Sequence, residues 1–146
     1  VTNAGVNLKW FGKKQFIGTD SGNHSIVISS HDPENHIGMK PSDLMLLSLS
    51  SCSAYDVVEI LSKKKISLTS MEIQVSVEQD PDPPWTFRKI LLQFKLAGEG
   101  LNNKAVKQAI DLSVNSYCSV AATIAGKAEI ITSFEIFPNG GNKTNQ

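Results

Sequence analysis

The 146-residue sequence predicts an α+β fold, with largely antiparallel strands and helices on one side. Three observations predict it. Short runs with apolar residues at alternate positions open the chain, a long apolar stretch without strand alternation follows, and two long alternating runs precede further helical segments and a last strand. No internal repeat interrupts that order.

The opening runs are Gly5 to Trp10, Lys14 to Thr19 and His24 to Ser30, with Gly12 and Ser21-Gly22 as breaks, and they read as a meander. Ser30 to Lys40 carries turn chemistry in Asp32-Pro33, Asn35 and Gly38 and reads as a loop. Pro41-Ser42 then opens a helix, with Ser42 as its expected N-cap and Asp43 suited to the positive end of the dipole. Lys63-Lys64-Lys65 suits the negative end and marks its close. Positions 44 to 61 are apolar or small on nearly every face, so this helix is expected to be buried on most sides, and dimer formation is one way to cover it.

Leu68 to Glu78 and Thr86 to Ala97 are the long strands, joined by the rigid turn D-P-D-P-P-W with an exposed Trp85. One face of the second strand is Ile90, Leu92, Phe94 and Leu96. Asn102 or Asn103 caps a helix from about Lys104 to Val114, a break falls near Asn115-Ser116, and a short helix runs from Cys118 to about Ala125. Glu129 to Phe137 is the last strand. Residues 1–137 thus read as a single domain and 138–146 as a disordered tail.

Composition excludes several classes of function. Fourteen basic residues balance fourteen acidic ones without a single-sign block, which sets nucleic acid aside as a partner. The most apolar run, Leu44 to Leu49, is short of a bilayer span, and the first ten residues lack a charged head followed by an apolar run. Two cysteines 66 positions apart make neither a disulfide scaffold nor a zinc site, and they read as cytoplasmic thiols. No cofactor is implied. His31 and His36, at i, i+5 on a polar loop, match no standard metal geometry.

Cysteine is the residue type whose placement suggests chemistry, because a thiolate is a good nucleophile and a two-electron reductant. Cys118 lies at a helix start, where unpaired N–H groups are expected to lower its pKa. Cys52 lies deep in the long helix, in S-L-S-S-C-S-A-Y-D, where the dipole does little. Ser48 and Asp56 stand one turn before and after it, and a carboxylate there disfavours the thiolate. Free cysteine is also a common buried filler, so the residues alone leave both the reactive and the inert reading open for each site.

The strings G-M-K-P-S-D-L-M-L-L-S-L-S-S-C-S-A-Y-D-V-V and A-I-D-L-S-V-N-S-Y-C-S-V-A together resemble the OsmC-like superfamily, which includes the organic hydroperoxide resistance (Ohr) branch. Gly38, Pro41, Leu44, Cys52 and Cys118 match its Gly-x-x-Pro loop, central helix and paired cysteines in type and spacing. The resemblance implies an intertwined homodimer of curved antiparallel sheets wrapped around central buried helices. It implies a thiol peroxidase for organic hydroperoxides, with Cys52 peroxidatic, Cys118 resolving and a dithiol such as a lipoyl group as reductant. Three family features differ here: Ser42 stands where the peroxidases carry a glutamate, the single arginine is Arg88 rather than one from the N-terminal strands, and the second cysteine is not followed by proline. The second motif reads Cys118-Ser119 in place of Cys-Pro, so the strings look most like a less characterised branch. Arg88, on a loop able to reach a partner subunit, is the candidate cation for Cys52. The alternative is a non-catalytic dimer that binds a small apolar or thiol ligand at its interface, or senses redox state.

Overall fold

A computed structural model describes residues 5–138, so most of the expected tail, residues 139–146, lies outside the described residues. The chain forms two compact units, Val1–Leu47 and Ser48–Gln146.

The first unit is the expected meander. Strands β1 (Asn7–Gly12), β2 (Gln15–Thr19) and β3 (Ser25–Ser29) pair antiparallel in that order. Leu8, Gly18 and Ile26 share one row, as do Trp10, Phe16 and Ile28, while Lys9, Ile17 and Val27 point to the other face. Apolar side chains stand exposed on both faces, with Leu8 60% and Trp10 63% exposed on one and Ile17 37% and Val27 40% on the other.

The loop that follows is organised by Asp32. Its carboxylate accepts from the Ser30 hydroxyl, from Asn35 Nδ2 at 2.6 Å and from the Glu34 N–H at 3.2 Å. The hydrogen bonds from Ser30 and then Asn35 hold this carboxyl far below the usual range, at about 2. Buried Asn35 in turn accepts from the Lys14 N–H at 3.0 Å, tying the loop to the β1–β2 turn. The loop then bridges back onto β3: the Met39 N–H donates to the Val27 carbonyl at 3.1 Å, and the Met39 carbonyl accepts from the Ser29 N–H at 3.1 Å. This approach explains Gly38, since a Cβ there would lie 2.4 Å from the Val27 carbonyl oxygen.

Helix α1 (Pro41–Lys63) carries the chain from the first unit into the second. The Leu44 N–H donates to the Lys40 carbonyl, so Pro41 takes the first helical position, where its missing N–H and fixed φ cost nothing. Ser42 therefore lies within the first turn and is not the cap expected from the sequence. Burial along α1 is also narrower than expected. Leu49, Ser50, Ser53, Val57 and Leu61 are buried, whereas Leu47, Tyr55 and Val58 are exposed and fall within about 80° of one another around the axis. Counted over its full length, α1 is long and apolar enough to cross a membrane by length and composition alone, a weak signal that core helices also give.

The second unit holds a sheet of order β4-β5-β6, with β4 (Ser67–Gln79), β5 (Phe87–Glu99) and β6 (Glu129–Phe137). Central β5 supplies the core: Ile90, Leu92, Phe94 and Leu96 are each at most 1% exposed. Beside them in the core are Val57 and Leu61 of α1 and Val106, Ala109 and Ile110 of α2 (Asn103–Leu112). Asn102 caps α2 by accepting from the Ala105 N–H at 2.9 Å. The β4–β5 hairpin is antiparallel, but β5 and β6 run parallel, a pairing the sequence reading did not separate from its antiparallel majority. Its cause is the helical crossover between them, which returns the chain to the starting end of β5.

Gly38→Ala is expected to lower folding stability by about 1–3 kcal/mol, because the loop must retreat from β3. Gly5→Ala, where a Cβ meets nothing within 4 Å, should change it by less than about 0.5 kcal/mol. Urea denaturation followed by circular dichroism measures both, and equal midpoints would refute the close-approach account.

Candidate functional site

The crossover between β5 and β6 does not form two plain α-helices. After α2 the chain widens into a single π turn, Ser113–Tyr117, closed by the Cys118 N–H donating to the Ser113 carbonyl at 2.8 Å. Cys118 leaves the turn in an extended conformation, φ −75° and ψ 108°, and caps α3 (Ser119–Ile124). Its sulfur accepts from the Ala121 N–H at 3.3 Å, the role a serine or aspartate oxygen fills at other N-caps.

Cys52 sits in α1 on the border between the buried stripe and the exposed apolar face, and is half-buried. The fold brings it near enough to Cys118, which is 2% exposed, to act on that thiol's pKa. Both thiols are free. Burial pushes the Cys118 thiol up to about 11, the hydrogen bond with Cys52 adds to the rise, and the Ala121 N–H only partly offsets them. The sequence expectation of a lowered Cys118 pKa is thus reversed. One N–H directed at the sulfur is a smaller effect than removing the thiolate from water. Cys118 therefore keeps its proton at neutral pH.

Asp56 is engaged from the crossover. Buried Ser113 donates to its Oδ2 at 2.8 Å, and Ser53 Oγ and the Ser53 carbonyl lie 3.2 and 3.4 Å from the same hydroxyl. Ser113 has one proton for these acceptors, and the nearest is also the charged one. Sequence reading missed Ser113. The available signal was the Ser53-x-x-Asp56 spacing, which places two polar side chains on one face of the helix. An open cleft of about 420 Å³ lies alongside, lined by Asp56, Glu59, Ile60, Lys63, Leu112 and Tyr117.

Arg88 lies within β5 rather than on the loop expected from the sequence, and it is not brought to either cysteine within the chain. Its Nε and Nη2 donate to both carboxylate oxygens of Asp80 at 2.6 to 3.0 Å across the β4–β5 hairpin end, and this pairing holds the Asp80 carboxyl below the usual carboxylate range. Trp85, in the turn beside it, is 57% exposed as expected. His31 and His36 stack with ring centroids 4.2 Å apart, and no group of three potential metal ligands occurs among the described residues.

The fold thus sets one thiol on a long helix and a second at the cap of a helix in the crossover of an α+β domain. The OsmC-like protein family model matches residues 32–133, and the chain belongs to this family. Protein YhfA of Escherichia coli strain K12 is 31% identical over 131 residues, covering 90% of this chain and 96% of that one. A hypothetical protein from Aquifex aeolicus VF5 of known crystal structure is 26% identical, with a TM-score of 0.84 over 94% of this chain and 98% of its own. The organic hydroperoxide resistance protein OhrB of Bacillus subtilis shares the fold at 15% identity, with a TM-score of 0.62 over 92% and 98% of the two chains.

The raised Cys118 pKa has a defined consequence for stability. Below pH 9.0, the ordinary thiol value, Cys118 is protonated whether folded or not, and its contribution is complete. Between pH 9.0 and about 11 only the unfolded chain ionises, so the contribution falls with rising pH. The stability advantage of the wild type over Cys118→Ala should therefore shrink across that window in thermal unfolding under reducing conditions. Parallel curves from pH 8 to 11 would contradict it.

Proposed function

We propose that this OsmC-like protein is a thiol peroxidase that reduces organic hydroperoxides, with Cys52 peroxidatic and Cys118 resolving. The observation that carries the reading is the meeting of two cysteines 66 positions apart, one half-buried and one buried and protonated. The Cys52 thiolate attacks the distal peroxide oxygen, the O–O bond breaks, and the departing alkoxide takes a proton to leave as an alcohol. The Cys52 sulfenic acid then condenses with the Cys118 thiol, releasing water and forming the disulfide. A dithiol reductant restores both thiols and is itself oxidised to a disulfide.

The same reading treats residues 1–137 as one domain working as a cytoplasmic homodimer. Its support is the exposed apolar surface: Leu47, Tyr55 and Val58 on α1 and both faces of the meander are what a second copy would cover. Arg88 enters only through that dimer, since acting on the partner's thiol requires its pairing with Asp80 to open. A second reading, a binding protein for a small apolar or thiol ligand, is favoured by the cleft beside Tyr117 and by Ser42 at the position where the family's peroxidases carry glutamate.

One equivalent of an organic hydroperoxide should lower the intact mass of the reduced protein by about 2 Da, the loss of two hydrogens in a disulfide. Cys118→Ser should instead gain about 16 Da as a sulfenic acid, and Cys52→Ser should stay unreacted. Persistence of both free thiols, without turnover under a dithiol reductant, overturns the peroxidase reading in favour of ligand binding. Sedimentation of a monomer at micromolar concentration would overturn the homodimer.

A further inference from the structure

We propose that Asp56 is a positioning residue for the thiol pair: through Ser113 it holds the π turn whose closing bond fixes Cys118 opposite Cys52. The inference rests on the reading that the two cysteines act as a redox pair, and extends it to a residue that touches neither sulfur. The connection is continuous. Asp56 and Ser53 lie within one turn of Cys52 on α1, and Ser113 donates to Asp56 Oδ2 at 2.8 Å across to the crossover. The carbonyl of the same Ser113 accepts the Cys118 N–H at 2.8 Å, and Cys118 then caps α3 with its sulfur. The side chain of Ser113 thus registers the crossover against the Cys52 helix, while its carbonyl sets where Cys118 begins.

Charge matters to this arrangement. Ser113 is 0% exposed and Ser53 is 0% exposed, so water does not compete for the hydroxyl proton, and a carboxylate binds it more strongly than a neutral acceptor would. A π turn is a poor helical geometry that persists where tertiary contacts hold it. With Asp56 removed, Ser113 retains only the weaker Ser53 acceptors, and the turn loses the tie that sets its register.

The test measures the effective concentration of one thiol toward the other by equilibrating the protein with glutathione and glutathione disulfide. In that exchange two cysteine thiols are oxidised to a disulfide as one glutathione disulfide is reduced to two glutathione thiols, so no peroxide chemistry is needed. Asp56→Ala and Ser113→Ala should each lower the effective concentration by about tenfold or more, and Asp56→Asn, which keeps a neutral acceptor, should recover only part of it. Val106→Ala, in the core of α2, should lower stability without changing it, which separates positioning from general loosening. Should the alanine variants fail to fold, Asp56→Asn against Asp56→Glu, which displaces the carboxylate by one methylene, provides the comparison. Unchanged effective concentrations in folded variants overturn the inference, as does a wild type that forms no disulfide in the buffer. A wild type that forms the disulfide from glutathione but not from hydroperoxide removes the peroxidase reading and leaves this one standing.

Discussion

Parallel strands cannot be joined by a tight turn, and the placement of the thiol pair depends on that constraint. Because β6 runs beside β5 in the same direction, the chain leaving Glu99 must travel back the length of the sheet before Glu129 can start. The return path is α2, the π turn and α3, and Cys118 lies at the one break in its helical ladder. The β5 side chains Ile90, Leu92, Phe94 and Leu96 and the α2 side chains Val106 and Ile110 together make the core of this unit. The break is anchored to α1 by the hydrogen bond from Ser113 to Asp56.

Much of this was legible from the sequence. The alternation in Leu68 to Glu78 and Thr86 to Ala97 marked β4 and β5 because half-buried strands have a period of two, and Asn102 was readable as a cap because its side chain substitutes for a missing acceptor. Gly38 could be placed in a loop, but the reason it must be glycine is a contact with Val27 made only after the chain folds. The family strings identified the two cysteines and their spacing.

What stayed hidden was decided by tertiary structure. A π turn has no residue signature, since it arises when outside contacts override the α ladder, and Ser113 is one serine among many. The pKa of Cys118 was read in the wrong direction because helix position can be seen in a sequence and burial beside another thiol cannot. Likewise, apolar residues around most of α1 suggested burial on most sides, whereas the chain alone buries one stripe. The meander has the same character, with apolar side chains on both faces of a three-stranded sheet.

The π turn also makes chain length between Ser113 and Cys118 a countable quantity. Its hydrogen-bonded ring encloses one residue more than an α turn does, so removing a single residue from Val114 to Tyr117 would let the same carbonyl close an ordinary α turn. The cysteine would then follow Ser113 by four residues instead of five, with the same hydrogen bond closing a tighter turn. A gap of one residue in this short interval would therefore separate OsmC-like chains that close the crossover with a π turn from chains that close it with an ordinary α turn.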